Sequence, residues 1–183
     1  MNATDHDDNR SPSGSYLAAE SGLAQAYCKL MRLGVDENVS RSKCIAALKE
    51  VATIHQKYNF LEEYADGQLS IAQIYYDAAI AARKRSDFSE NMRKAISALK
   101  LASAQYSELH KWARYAGTQH NLAVYYELLF RNNIDGPANL REMRRTVEDG
   151  IEVFQKYGLK DEEERFKKLL ELINKEEVAL KRL

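Results

Sequence analysis

Cysteine is scarce in this chain: Cys28 and Cys44 stand alone among 183 residues. Two thiols make no disulfide framework. Both fall in apolar helical patterns, which reads as two small buried hydrophobes, and a zinc site would want more ligands at closer spacing. Proline is scarcer in use than in number, since Pro12 and Pro137 are the only two and neither interrupts 13–136. No stretch approaches the roughly 18 uninterrupted apolar residues of a membrane span. The start, Met1 to Asp8, has neither a basic opening nor an apolar run, so no secretory leader is read there and the cytoplasm is the default compartment. Charge of one sign is missing too. Lys plus Arg number 27 and Asp plus Glu 27, without the basic excess that a nucleic-acid binder usually carries.

What remains is globular composition, 45% apolar and 30% charged, in a chain of one-domain length. Residues 1–15 are polar and end in Ser11-Pro12-Ser13-Gly14-Ser15, a disordered tail. Its Asp5, His6, Asp7 and Asp8 read as a solvated acidic stretch, not a metal site, because nothing fixes their geometry. From Tyr16 the pattern is helical. Ala, Leu, Glu, Lys, Arg and Gln dominate, and the spacing predicts helices over 16–33, 40–57, 60–84, 88–108, 111–131, 138–157 and 160–181. Gly34 closes the first, and Ser40 is a candidate cap for the second. Ser86 or Asp87 is placed to cap the fourth, and Pro137 opens the sixth where its missing N–H costs nothing. The connections are short enough to fold each helix back on its neighbour. The fold class is all-α, with 16–183 a single domain and the charged helix 160–181 its C-terminal cap.

The helices repeat. Leu23-Ala24-Gln25-Ala26-Tyr27, Ile71-Ala72-Gln73-Ile74-Tyr75 and Leu122-Ala123-Val124-Tyr125-Tyr126 share an aliphatic residue, then Ala, then Tyr three positions later. The second interval, 51 residues, also relates Tyr64 and Gln68 to Tyr115 and Gln119, and Lys43, Ile45, Ala47 and Leu48 to Lys94, Ile96, Ala98 and Leu99. One further step reaches Val147, Val153 and Tyr157, and then Phe166 and Ile173. A shared register in both helices of a pair points to stacked hairpins, since one hairpin cannot bury its own apolar face.

With these motifs the sequence resembles the tetratricopeptide-repeat (TPR) superfamily. Leu122, Ala123 and Tyr126 fit the first helix of its signature, as do Ile71, Ala72, Tyr75 and Leu23, Ala24, Tyr27; Ala95, Leu99 and Ala102 fit the second. The resemblance runs from 16 to about 180. It departs in its period of 51 against the usual 34, in Gln68 and Gln119 where the signature opens on tryptophan, and in lacking the terminal proline. It implies a right-handed superhelix of antiparallel helix pairs, TPR-like with lengthened helices, whose first helices line a concave face.

That mapping places Asp66, Leu69, Gln73, Tyr76 and Asp77 in the groove from the second pair, and Gly117, His120, Val124, Glu127 and Leu128 from the third. Ser21, Gln25, Cys28 and Lys29 come from the first. Of 11 tyrosines, those at 27, 64, 75, 106, 115, 126 and 157 hold repeat positions. Tyr76 is left over and faces the groove, the best single anchor. The surface mixes apolar, amide and acidic groups. It lacks the Lys/Asn/Arg set with which chaperone-binding TPRs grip a C-terminal carboxylate, and suits an extended or helical protein segment with some basic character. The function expected is that of a scaffold or adaptor. A homodimeric structural or regulatory subunit is the alternative, and a nucleic-acid-binding repeat the next.

Catalytic chemistry finds no support. Ferritin-like sites need Glu three residues before His, but Ala52, Ser107 and Gly117 stand there before His55, His110 and His120. No phosphate-binding loop, dinucleotide fingerprint or nucleophile motif is present, so no cofactor, metal or catalytic residue is assigned. Arg83-Lys84-Arg85 reads as the basic end of the third helix, complementing its dipole, and Arg141, Arg144 and Arg145 share the sixth; together the two clusters could meet RNA or an acidic membrane, and solvated helix ends are the plainer account.

Overall fold

The computed structural model describes residues 14–158 and 160–180, with side chains omitted at 14–18, 20 and 160–162. The acidic tail residues Asp5 to Asp8 lie outside that range. Seven helices and no strand occur among the described residues: α1 (Gly14–Arg32), α2 (Glu37–Lys57), α3 (Leu61–Ile80), α4 (Arg85–Glu108), α5 (Trp112–Arg131), α6 (Gly136–Tyr157) and α7 (Lys160–Leu180). No helix among them is long and apolar enough to cross a membrane. The helices form two compact units that part between Phe60 and Leu61.

The helices stop by a common backbone device. At the ends of α1, α2, α4 and α5 the chain turns at Gly34 (φ 73°), Asn59 (φ 61°), His110 (φ 56°) and Asn133 (φ 54°), each in the left-handed region. The amide after each turn residue reaches back five positions: Val35 to Leu30, Phe60 to His55, Lys111 to Tyr106 and Ile134 to Leu129, at 2.8–3.1 Å. This closure satisfies carbonyls that a helix end otherwise leaves unpaired. The expected caps differ. Asp36, not Ser40, is the N-cap of α2, and Ser40 lies inside the helix, its hydroxyl donating to the Val35 carbonyl at 2.7 Å. Lys84 precedes α4, and no side chain caps it.

In the first unit, α1 packs on α2 through Ala24, Cys44, Ile45, Ala47, Val51 and Ala52. The reading of Cys28 and Cys44 as two buried thiols is corrected here: they form a disulfide between the two helices, with Cα atoms 5.3 Å apart, inside the range such a bond requires. Periodicity places each cysteine on an apolar stripe but does not say that the two stripes face each other at the same height.

In the second unit α3 packs on α4, α4 on α5, α5 on α6 and α6 on α7, and α5 also meets α7. The 51-residue register returns as burial. Ile45 and Ile96 are buried at equivalent positions, as are Ala47 and Ala98, Gln68 and Gln119, Ile71 and Leu122, and Ala72 and Ala123. Alanines at the crossings let helices approach to the short end of the usual ~8–10 Å separation. A polar contact recurs as well: the Lys43 ammonium stands 5.4 Å from the Tyr27 ring centre in the first hairpin, and Lys94 5.6 Å from Tyr75 in the second.

The register breaks at one position with a visible reason. Leu99 of α4 corresponds to Gly150 of α6, and the volume left by the missing side chain holds the Phe166 ring of α7. Phe166 is fully buried, edge-on to Phe154 at 5.0 Å and to His120 at 5.7 Å. Arg144 fastens the same junction. Its guanidinium donates to both Glu177 carboxylate oxygens at 2.7 and 2.9 Å and to Asn174 at 2.7 Å, and Glu177 foremost raises its pKa.

Candidate partner-binding face

Helices α3 and α5 are the first helices of neighbouring pairs, and their sequence-predicted residues separate into an outer and an inner set. In the outer set, Gln73 and Asp77 are exposed and Tyr76 is half-buried. Four residues apart on α3, Gln73 and Asp77 share a face, and the Gln73 amide donates to the Asp77 carboxylate at 2.8 Å. Beside them the Tyr76 ring lies flat on Tyr125 of α5, centroids 4.7 Å apart and planes within 10°. Val124 and Glu127, both half-buried, stand on α5 within a turn of Tyr125. Glu127 is paired with Arg131 at 2.6 Å.

The inner set is engaged in packing. The Asp66 carboxylate accepts the Tyr106 hydroxyl at 2.5 Å and lies 3.8 Å from the Arg114 guanidinium. It thereby joins α3, α4 and α5. Leu69 packs with Tyr115 against Ala65, Ala102 and Tyr106. His120 is the edge partner of Phe166 described above. Leu128 and Gly117 are half-buried on α5. In the first unit, Gln25 and Lys29 are exposed and Ser21 half-buried, whereas Cys28 is held by its disulfide.

Tyr125 is the residue that sequence reasoning passed over. It occupies a variable position of the repeat motif, and Tyr126 beside it fills the conserved-type slot. The available signal was the pair of tyrosine doublets, 75–76 and 125–126, whose extra rings fall on opposite sides of the repeat position and so can meet across two adjacent helices.

Burial raises the pKa of the tyrosines between these helices. Desolvation is the first cause for Tyr106, Tyr125, Tyr115 and Tyr126; Asp66 adds to it at Tyr106, and Tyr76 and Asp77 at Tyr125. A phenol whose folded pKa is raised contributes stability that is complete below its unfolded pKa, about 10, and that is lost as pH climbs from there toward the folded value. Melting temperatures of the chain should therefore fall as pH rises past about 10. Tyr125→Phe should show a shallower fall than wild type over that window. Parallel curves for the two proteins would show that Tyr125 is not protected from ionisation by burial.

The basic clusters take different places from those expected. Helix α3 ends at Ile80, so Arg83, Lys84 and Arg85 follow its last turn and are not part of it. They lead into the N-terminus of α4. Of the second cluster, Arg144 is committed to α7, Arg145 pairs with Glu142 at 3.1 Å, and Arg141 is exposed. Among the described residues no group of three His, Cys, Asp or Glu is placed to hold a metal ion. No family model matches the chain, and no curated protein or solved structure is significantly similar to it.

Proposed function

We propose that the chain is a TPR-like interaction module, a scaffold or adaptor that holds a protein segment against the face shared by α3 and α5. The observation that carries this reading is the half-buried Tyr76 ring stacked on Tyr125 beside the exposed Gln73 and Asp77. A rigid aromatic platform flanked by an amide and a carboxylate is the composition of an interface anchor. The recurring register of buried positions and Lys–Tyr contacts supports the repeat reading independently of the site. The exposed Asp77 carboxylate favours a segment with a basic side chain, extended or helical.

Replacing Tyr76 and Gln73 by alanine removes half of the platform and the amide while leaving the fully buried stripe of α3 untouched. Proteins captured from source lysate by the wild type should be lost by at least about tenfold in the double variant, as truncating an anchor costs about 2 kcal/mol or more. Equal retention by both proteins would move the interface elsewhere.

A second reading, self-association, is favoured by the first unit. Leu23, Leu30, Leu33, Val35 and Val39 are all exposed large apolar residues of α1, α2 and the turn between them, and exposed apolar surface of this kind can be covered by another copy. Mass in solution that rises with concentration, and returns to the monomer value in Leu30→Asp plus Leu33→Asp, would establish it.

A further inference from the structure

The turn between α3 and α4 holds a cavity of about 400 Å³ lined by Ala79, Ile80, Ala82, Phe88, Asn132 and the three cations Arg83, Lys84 and Arg85. We infer that this cavity is a binding site for a phosphate group, carried by a phosphorylated small molecule or a phospholipid headgroup. Three positive charges in sequence repel one another. Among the described residues none of the three is in an ion pair with a carboxylate; Arg93 pairs with Asp135 and Arg131 with Glu127. Arg85 is instead anchored through its guanidinium to the Asn133 carbonyl at 2.5 Å, which fixes one cation across the cavity from the α3 side. Asp87, in the first turn of α4, is not among the lining residues, and it accepts the Ser86 hydroxyl at 3.1 Å.

The backbone adds to the same field. Lys84 is the N-cap of α4 and gives it no side-chain acceptor, and the first bond of the helix runs from the Phe88 amide to the Lys84 carbonyl at 3.0 Å. The positive end of the helix dipole thus adjoins positive side chains, offset in part by Asp87 in the first turn, and an anion relieves what remains. A guanidinium pair and an ammonium match a tetrahedral oxyanion, with its several acceptor oxygens, better than a planar carboxylate uses all three. The apolar wall of Ala79, Ala82 and Phe88, with Ile80 exposed at the rim, accepts the organic part of such a ligand.

The test uses the full chain at low salt, with inorganic pyrophosphate titrated calorimetrically and with sedimentation on phosphatidylcholine vesicles with and without phosphatidylserine. Arg83→Glu plus Lys84→Glu reverses two exposed cations of the cavity. Arg141→Glu plus Lys175→Glu makes the same charge change at exposed positions outside it and serves as the control. Wild type and control should bind, and the cavity variant should bind at least about tenfold more weakly, since each charge-assisted contact is worth about 1.5 kcal/mol or more. Binding to pyrophosphate assigns a free phosphate ligand, and retention only on phosphatidylserine vesicles assigns a headgroup. The site is overturned if wild type binds neither probe, if the control loses binding as the cavity variant does, or if a polyglutamate peptide binds as tightly as either probe.

Discussion

Gly150→Ala is expected to destabilise the second unit by about 2 kcal/mol, although alanine is the better helix former by about 1 kcal/mol. A Cβ built on Gly150 falls 2.2, 2.6 and 2.9 Å from Cε1, Cζ and Cδ1 of Phe166, where carbon atoms need about 3.5 Å. The ring cannot swing aside, because it is fully buried and held edge-on by Phe154 and His120. Overpacking of this kind costs about 1–3 kcal/mol, and three ring atoms inside contact distance put this site at the upper end. The same substitution in a Phe166→Leu background should cost far less, and the difference is the coupling between the two positions. Urea unfolding of the four proteins measures it. A Gly150→Ala chain as stable as wild type would mean that Phe166 does not sit on α6.

Reduction of the Cys28–Cys44 bond should have the next largest effect, and it should be confined to the first unit. The bond closes a segment with a sequence separation of 16, a loop for which the chain-entropy account gives about 3 kcal/mol. Two helices bury little, so a term of that size is a large share of the hairpin's stability. Under reductant, or in Cys44→Ser, amide exchange should accelerate across α1 and α2 and stay unchanged in α3 to α7. Labelling of both cysteines by iodoacetamide without reductant would show that the bond is not formed. Disulfides persist in oxidising compartments and are rare in the cytosol, so trapping the thiols directly in cell extracts also tests the cytoplasmic default drawn from the sequence.

Helix number and the 51-residue register were legible in the sequence because both are written locally, in the spacing of Tyr64, Gln68, Ile71 and Tyr75 and its echo at Tyr115, Gln119, Leu122 and Tyr126. The end of α3 was not. Ala81 and Ala82 are good helix formers, and no glycine or proline marks the stop, so the sequence carried the helix to 84 while the chain leaves it after Ile80. That difference of four residues took Arg83–Arg85 out of α3 and placed them in the turn between the carbonyl end of α3 and the amide end of α4. Of the candidate site, the exposure of Gln73 and Asp77 follows from helical phase. The engagement of Asp66 with Tyr106, of His120 with Phe166 and of Tyr76 with Tyr125 depends on which residues of other helices arrive opposite, and periodicity within one helix holds no record of that.

The turns at Asn59 and His110 lie 51 residues apart and close with the same pair of main-chain bonds, though one is an amide side chain and the other an imidazole. Helix length is thereby metered by backbone geometry, not by the identity of the residue at the stop. Copies of such a hairpin can exchange most of their surface letters and still count to the same number, whereas a single inserted residue would rotate everything downstream by about 100° on the helix. In a chain built this way the interval between stops decides which faces meet, so it is the spacing, more than any single surface side chain, that holds the stack together.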